Sequence, residues 1–314
     1  MGFWPTILVL RKVPVCAGKM HDDEADIDDA LVRRLLTTQF PQWAALPIKR
    51  VASDGTVNAM YRLGEDMAVR LPLVESGAKD VAGERQLLTR LAPLLPVAIP
   101  VPLGEGMPTE DYPWPWSVYR WLAGENPVVG GMTDPDGFAM DLADFVTALR
   151  GIDPTDGPPA YRGGPLADQD AGTRSAIEAL DGMIDTEAAT AAWDECLSQA
   201  RSWAGPPVWV HGDLMPGNLL TVAGRLNAVI DFGTVGVGDP ACDLIAAWNL
   251  LPVEARKIYR DALQVDDAAW ARGRGRALSM ALIQLPYYKD TNPGMAANAR
   301  HVIKEVLADH ARSS

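Results

Sequence analysis

Apolar residues recur at helical spacing from Ile27 to Phe40, and Pro41 then limits further extension of that helix. The period changes directly afterwards. Lys49 to Ala52, Asn58 to Leu63 and Met67 to Leu71 are short strand-like runs, and Ser53-Asp-Gly-Thr56 supplies the first turn of an antiparallel sheet. Helical spacing returns from Ala78 to Leu95, where Val81, Glu84, Leu88, Leu91 and Leu95 share one face. Asp134 to Arg150 forms an amphipathic helix, followed by a Gly, Pro and Asp-rich connection from Gly151 to Gly172 that is expected to be the most mobile stretch of the chain. Helical patterns then occupy Thr173 to Met183, Glu187 to Trp203, Ala241 to Asn249, Val253 to Leu263, Asp267 to Tyr288 and Met295 to Ala311. A small sheet near the start and a long helical remainder predict an α+β chain.

Glu84 breaks this pattern informatively. A carboxylate on an aliphatic helix face needs a partner, and Arg70 on the inferred third strand is the natural one. A purely structural bridge is the alternative. Trp114, Trp116, Tyr119 and Trp121 are dense enough to be packing residues first. Tyr287, Tyr288, Asp290 and Asn292 gather at a helix end, where an ordinary terminus explains them better than a ligand site.

The chemistry concentrates in Val208-Trp-Val-His-Gly-Asp-Leu-Met-Pro-Gly-Asn-Leu-Leu220 and in Ala228-Val-Ile-Asp-Phe-Gly233. Asp213 and Asn218 have the Asp-x-x-x-x-Asn spacing with which a phosphoryl-transfer loop presents a carboxylate to the attacking hydroxyl and an amide carbonyl to magnesium. Asp231 follows an apolar strand, Leu226 to Ile230, as a second metal ligand. Magnesium prefers oxygen ligands and takes only one or two protein carboxylates, which suits this pair. Pro216 and Gly217 fix the turn that aims Asp213. His211 is read as shaping the loop, Asp239 as capping the helix after it, and Asp243, too far along that helix to cap it, as bracing the loop.

Composition narrows the partners. The chain has 314 residues, 48% of them hydrophobic, enough for one two-lobed catalytic unit. A net charge of -13 and an isoelectric point near 4.7 argue against nucleic acid and favour cationic ligands. Cys16, Cys196 and Cys242 form no CxxC pair, which indicates neither a disulfide framework nor a zinc site and fits a reducing cytoplasm. Phe3 to Leu10 is too short to span a bilayer, and its charges follow it, so residues 1–19 are read as an extension of little functional consequence, with Met20 as an alternative start.

His211-Gly-Asp-x-x-Pro-Gly-Asn218, Ile230-Asp-Phe-Gly233 and Gly238-Asp-Pro-x-x-Asp-Leu244 resemble the motifs of the aminoglycoside phosphotransferase family. The resemblance extends upstream through Tyr112 to Gly124 and covers most of the chain after Met20. It implies a two-lobed protein-kinase-like fold, with a nucleotide-binding first lobe over residues 20–121 and a mainly helical second lobe over 122–314. It also implies Mg2+ and ATP or GTP as cofactors, and transfer to a hydroxyl of an aminoglycoside or another cationic antibiotic. Choline-type or sugar kinases and a nucleotide-binding pseudokinase are the alternatives; no Ala-Pro-Glu segment follows Asp-Phe-Gly as in protein kinases. By the same resemblance the turn with Ser53, Gly55 and Thr56 covers the nucleotide phosphates, although such a turn would serve any hairpin. Arg70 with Glu84 holds the phosphates, and the backbone of Arg120, Trp121 and Leu122 meets the adenine edge. Arg70 departs from the pattern, which has Lys there, and arginine's bidentate fork alters phosphate geometry.

Overall fold

The computed structural model describes residues 25–51, 57–78, 81–200 and 203–313. The extension 1–19 and the turn holding Ser53, Gly55 and Thr56 lie outside the described residues.

Helix α1 (Asp29–Gln39) begins where the Asp28 carboxylate accepts from the Leu31 N–H at 2.7 Å, and it ends before Pro41. Its buried face, Leu31, Val32, Leu35 and Leu36, joins a small core with Tyr61, Leu63, Val69, Leu71, Trp116 and Val118 from a five-stranded antiparallel sheet. The strands are β1 (Ile48–Arg50), β2 (Asn58–Leu63), β3 (Met67–Pro72), β4 (Pro102–Gly106) and β5 (Trp116–Arg120), in the order β1-β2-β3-β5-β4. Burial alternates along β2 as one face meets this core. Trp116 fills the core so closely that a Cβ on Gly106 opposite would lie 1.9 Å from its ring, so β4 needs glycine there. Helix α2 (Val81–Leu91) is shorter than its apolar pattern, because the chain tightens into a 3-10 turn over Ala92–Leu94 that contains Pro93. Its Leu88 and Leu91 belong to the larger core of the second lobe, together with Tyr119.

That lobe contains α3 (Pro135–Arg150), α4 (Asp170–Ala179), α5 (Thr186–Gln199), two short hairpin-like pairs, and α6 (Ala246–Asn249), α7 (Val253–Ala262), α8 (Asp267–Tyr288) and α9 (Pro293–Ser313). Strand β6 (Val208–Val210) pairs with β9 (Gly236–Gly238), and β7 (Leu219–Val222) with β8 (Arg225–Val229). Ala223 and Gly224 both take positive φ, 50° and 80°, the turn geometry that suits the strand twist of the β7–β8 pair. The helix expected from Ala241 starts instead as a 3-10 turn, Pro240–Ile245, before α6. Helix α8 is the spine. A Cβ on Gly273 would meet Leu244 at 2.4 Å and one on Gly275 would meet Leu166 at 2.7 Å, so the alternating glycines let it pack tightly while Arg272, Arg274 and Arg276 are buried between them.

The connection after α3 is held at several points. It carries a 3-10 turn at Leu166–Gln169, and α4 begins at Asp170. Ala160 N–H donates to Val237 O at 3.1 Å and Val237 N–H to Pro158 O at 2.7 Å, which straps it along β9. Asn292 explains the polar cluster beyond α8: it is buried, and its side chain caps α9 through the Met295 N–H at 3.0 Å. No helix among the described residues is long and apolar enough to cross a membrane.

Candidate active site

Strand β6 runs apolar into the core and releases the chain at His211-Gly-Asp213, where Gly212 takes a φ of 77° that a side chain would strain. This turn is clamped from below. The Asp243 carboxylate, fully buried in the 3-10 turn before α6, accepts from the His211 N–H at 3.1 Å and the Gly212 N–H at 2.8 Å. Burial pushes the Asp243 carboxyl upward, against the pull of those two backbone donors. The buried His211 ring accepts from the Asp213 N–H at Nδ1, which leaves Nε2 to donate to Ile230 O at 3.2 Å. It therefore ties the loop to the strand end that delivers Asp231, and it packs edge-on against Phe232.

Asn218 closes the loop. Its Nδ2 donates to Asp213 O and to Asp213 Oδ2, both at 2.9 Å, while Ile230 N–H donates to Asn218 O at 2.8 Å. With the amide nitrogen committed, the Asn218 side-chain oxygen is the atom left for a cation. Asp231 is solvent-exposed and held in the left-handed region at φ 63°, and among the described residues its carboxylate takes only a long 3.4 Å contact from Gly233 N–H. An exposed carboxylate and an amide oxygen, on segments joined by the Ile230 N–H to Asn218 O bond, are the oxygen donors a hard cation takes when phosphates and water complete its shell. No group of three or more His, Cys, Asp or Glu residues that could hold a metal ion occurs among the described residues.

On the first lobe, Arg70 and Glu84 meet. Arg70 Nη1 donates to Glu84 Oε1 at 2.7 Å and Oε2 at 2.8 Å, so a single nitrogen serves the carboxylate and the rest of the fork is not spent on it. Burial works against the Arg70 charge, but Glu84, Tyr119 and Asp231 outweigh it and hold the guanidinium protonated more firmly than usual. Asp231 also raises the Asp213 carboxyl, so its field reaches both the Arg70–Glu84 pair and the loop.

Two residues invisible to motif reasoning, Asn126 and Arg162, complete the geometry. Asn126 Nδ2 lies 2.9–3.2 Å from the carbonyls of Pro216, Gly217 and Leu219 and holds the loop's turn to the interlobe segment. Arg162 Nη1 donates to Asp213 Oδ1 at 3.0 Å and to Gly212 O at 3.1 Å. Burial is the largest influence on the Asp213 carboxyl and pushes it up, with Arg162 and His211 opposing. Asp239 caps the 3-10 turn through Ala241 N–H at 2.9 Å, as expected, and also binds Arg272 and Arg276. The interlobe expectation narrows. Arg120 N–H is taken by Val101 O and Trp121 N–H by Asp66 O, and the Trp121 ring lies under Arg62 at 4.0 Å. Of Arg120, Trp121 and Leu122, only Leu122 keeps its N–H without a partner among the described residues.

A family model described as the phosphotransferase enzyme family matches residues 48–278, a span that contains the clamp, the loop and Asp231. The chain belongs to this family. Among curated relatives, an aminoglycoside 3'-phosphotransferase of Escherichia coli is 34% identical over 87 residues, 25% of this chain and 31% of that protein, so the match spans about a third of the relative's length. Among solved structures, the GDP complex of wild-type aminoglycoside 2'-phosphotransferase-IIIa superposes with a TM-score of 0.71 at 19% identity, covering 90% of this chain and 100% of that one. A macrolide 2'-phosphotransferase from Brachybacterium faecium gives 0.58 at 21% identity, covering 88% and 97%. At these identities the structures establish the fold that members of the phosphotransferase enzyme family share with this chain: an antiparallel sheet lobe above a helical lobe.

Proposed function

We propose that this protein is a magnesium-dependent small-molecule kinase that moves the γ-phosphoryl group of ATP or GTP to a hydroxyl of an aminoglycoside or a related cationic antibiotic. The observations that carry this reading are the bonds that tie Asp213, Asn218 and the strand end bearing Asp231 into one loop, and the Arg70–Glu84 pair, whose guanidinium feels the Asp231 charge. Asn218 Oδ1 and Asp231 would hold magnesium, which neutralises charge on the phosphate oxygens when bound. Arg70, fixed by Glu84, orients the donor's phosphates. Asp213 accepts a hydrogen bond from the acceptor hydroxyl and takes up its proton as the bond to phosphorus forms. Burial of Asp213 increases its basicity, while its two donors keep the carboxylate in place.

The acceptor class is supported by the chain's negative charge and by the likeness to aminoglycoside phosphotransferases, whose solved forms include a kanamycin complex with GDP and a streptomycin complex with ATP. The test is magnesium-dependent transfer from ATP and from GTP to a panel of aminoglycosides, macrolides, choline and sugars, with Asp213→Asn as control. Transfer to an aminoglycoside that vanishes in the control is the expected result. Transfer only to choline or a sugar would replace the antibiotic acceptor, and nucleotide binding without any turnover would sink the kinase reading.

A further inference from the structure

Asp213 leans on two side chains, one per carboxylate oxygen: Asn218 on Oδ2, and Arg162 on Oδ1. Asn218 belongs to the loop itself, but Arg162 comes from the strap between α3 and α4, 51 residues away in sequence. That strap is held by its backbone. Arg276 Nη1 donates to Arg162 O at 2.6 Å and Nη2 to Gly164 O at 2.5 Å, and the Cys242 thiol donates to the same Arg162 carbonyl at 3.2 Å. Arg276 and Arg272 are both buried and share the buried Asp239, with Arg272 Nε 2.8 Å and Arg276 Nη2 3.2 Å from Oδ2. Close approach is possible because β9 is glycine at both ends: a Cβ on Gly236 would lie 2.6 Å from Ala160 N, and one on Gly238 would lie 2.8 Å from Gly163 Cα. Solvent-exposed Tyr161 places its ring 5.5 Å from the Arg162 guanidinium.

We propose that Arg162 is a positioning residue for the transfer step, delivered by this buried frame to fix the direction in which the Asp213 carboxylate faces the acceptor hydroxyl. The proposal rests on the phosphotransfer reading and names a residue that its motifs do not contain. Without Arg162, Oδ1 loses its side-chain donor and the carboxylate turns about a single remaining anchor, so the reactive alignment is populated less often. Among the described residues, no hydrogen bond or ion pair joins Arg70, Glu84 or Asp231 to the strap, so nucleotide binding is expected to be left as it was.

The experiment uses the full chain with Mg·ATP and Mg·GTP and follows transfer to whichever of kanamycin, erythromycin and water accepts fastest, with nucleotide affinity measured separately by calorimetry. Arg162→Ala is expected to lower kcat about tenfold or more while nucleotide KM and Kd stay within about twofold, and Arg162→Lys is expected to recover part of the loss. Because Arg162 acts through Asp213, adding Arg162→Ala to Asp213→Asn is expected to cost nothing further. An unchanged kcat in Arg162→Ala, or a double variant slower than Asp213→Asn by the full single loss, would overturn the proposal. If Arg162→Ala fails to fold, Arg162→Gln carries the same comparison. If choline or a sugar proves to be the acceptor, it takes the place of these three in the comparison, and a wild-type chain that binds nucleotide but transfers to none of them overturns the kinase reading itself and this proposal with it.

Discussion

Asn218 commits its amide nitrogen to Asp213, and this fixes both what it can offer a cation and what Asp213 can offer an acceptor. Asp213→Asn keeps the shape but removes the base. Turnover is expected to fall by about 10²-fold or more, with Mg·nucleotide affinity retained, as steady-state kinetics beside calorimetry would show. Arg70 gives a complementary outcome. Arg70→Ala is expected to raise the nucleotide KM about tenfold or more with a smaller change in kcat, and an unchanged KM would reduce the pair to a structural bridge. At this scale the motif acids and the Arg70–Glu84 pair were legible, because a charged residue on an apolar face or at a fixed loop spacing stands out. Arg162 and Asn126 were not. Each acts from an irregular segment, where neither period nor spacing marks a residue that reaches across to another loop.

Among the elements, β9 illustrates how three residues can matter more than a helix. Gly236 and Gly238 lie in register with β6 and let the strap approach closely, while Val237 between them makes the hydrogen bonds to it. Gly236→Ala drives a methyl into Ala160 backbone and is expected to cost about 1–3 kcal/mol of stability, seen as a lower denaturation midpoint. Helix positions were legible from apolar spacing, whereas their ends shifted where Pro93 and Pro240 favoured 3-10 turns over α-helical ones. The ties of the connection after α3 were not legible, for a physical reason. Its Gly and Pro content suggests freedom, but its Arg162 and Gly164 carbonyls are captured by buried Arg276 of α8, an interaction that leaves no trace in the connection's own sequence.

Over the whole molecule, an anionic chain keeps several of its arginines inside. Arg256, Arg272, Arg274 and Arg276 are buried and matched by Glu305 and Asp309, Asp239, and Glu195. Glu195 joins α5 to Arg274 of α8 and to His310 of α9. Burial raises its carboxyl, but the His310 and Arg274 donors outweigh that effect and hold it below the ordinary value of 4.5. A depressed carboxylate stabilises the fold above its unfolded-state value and loses that contribution as pH falls through the folded one. Thermal melting should therefore drop on acidification below about pH 5, and Glu195→Gln should start lower at neutral pH and show a shallower acid limb.

The supports of Asp213 all lie at or beyond residue 126: Asn126, Arg162, Asn218, His211 and Asp243, with the Arg276–Asp239 frame beneath them. The Arg70–Glu84 pair lies wholly before it. On the proposed kinase reading, the base is therefore aligned before any nucleotide arrives, because its supports share no residue with the pair that would hold the donor. The two substrates then have no compulsory sequence of arrival: initial-velocity lines should intersect, and a dead-end acceptor analogue should bind the nucleotide-free protein as well as the loaded one.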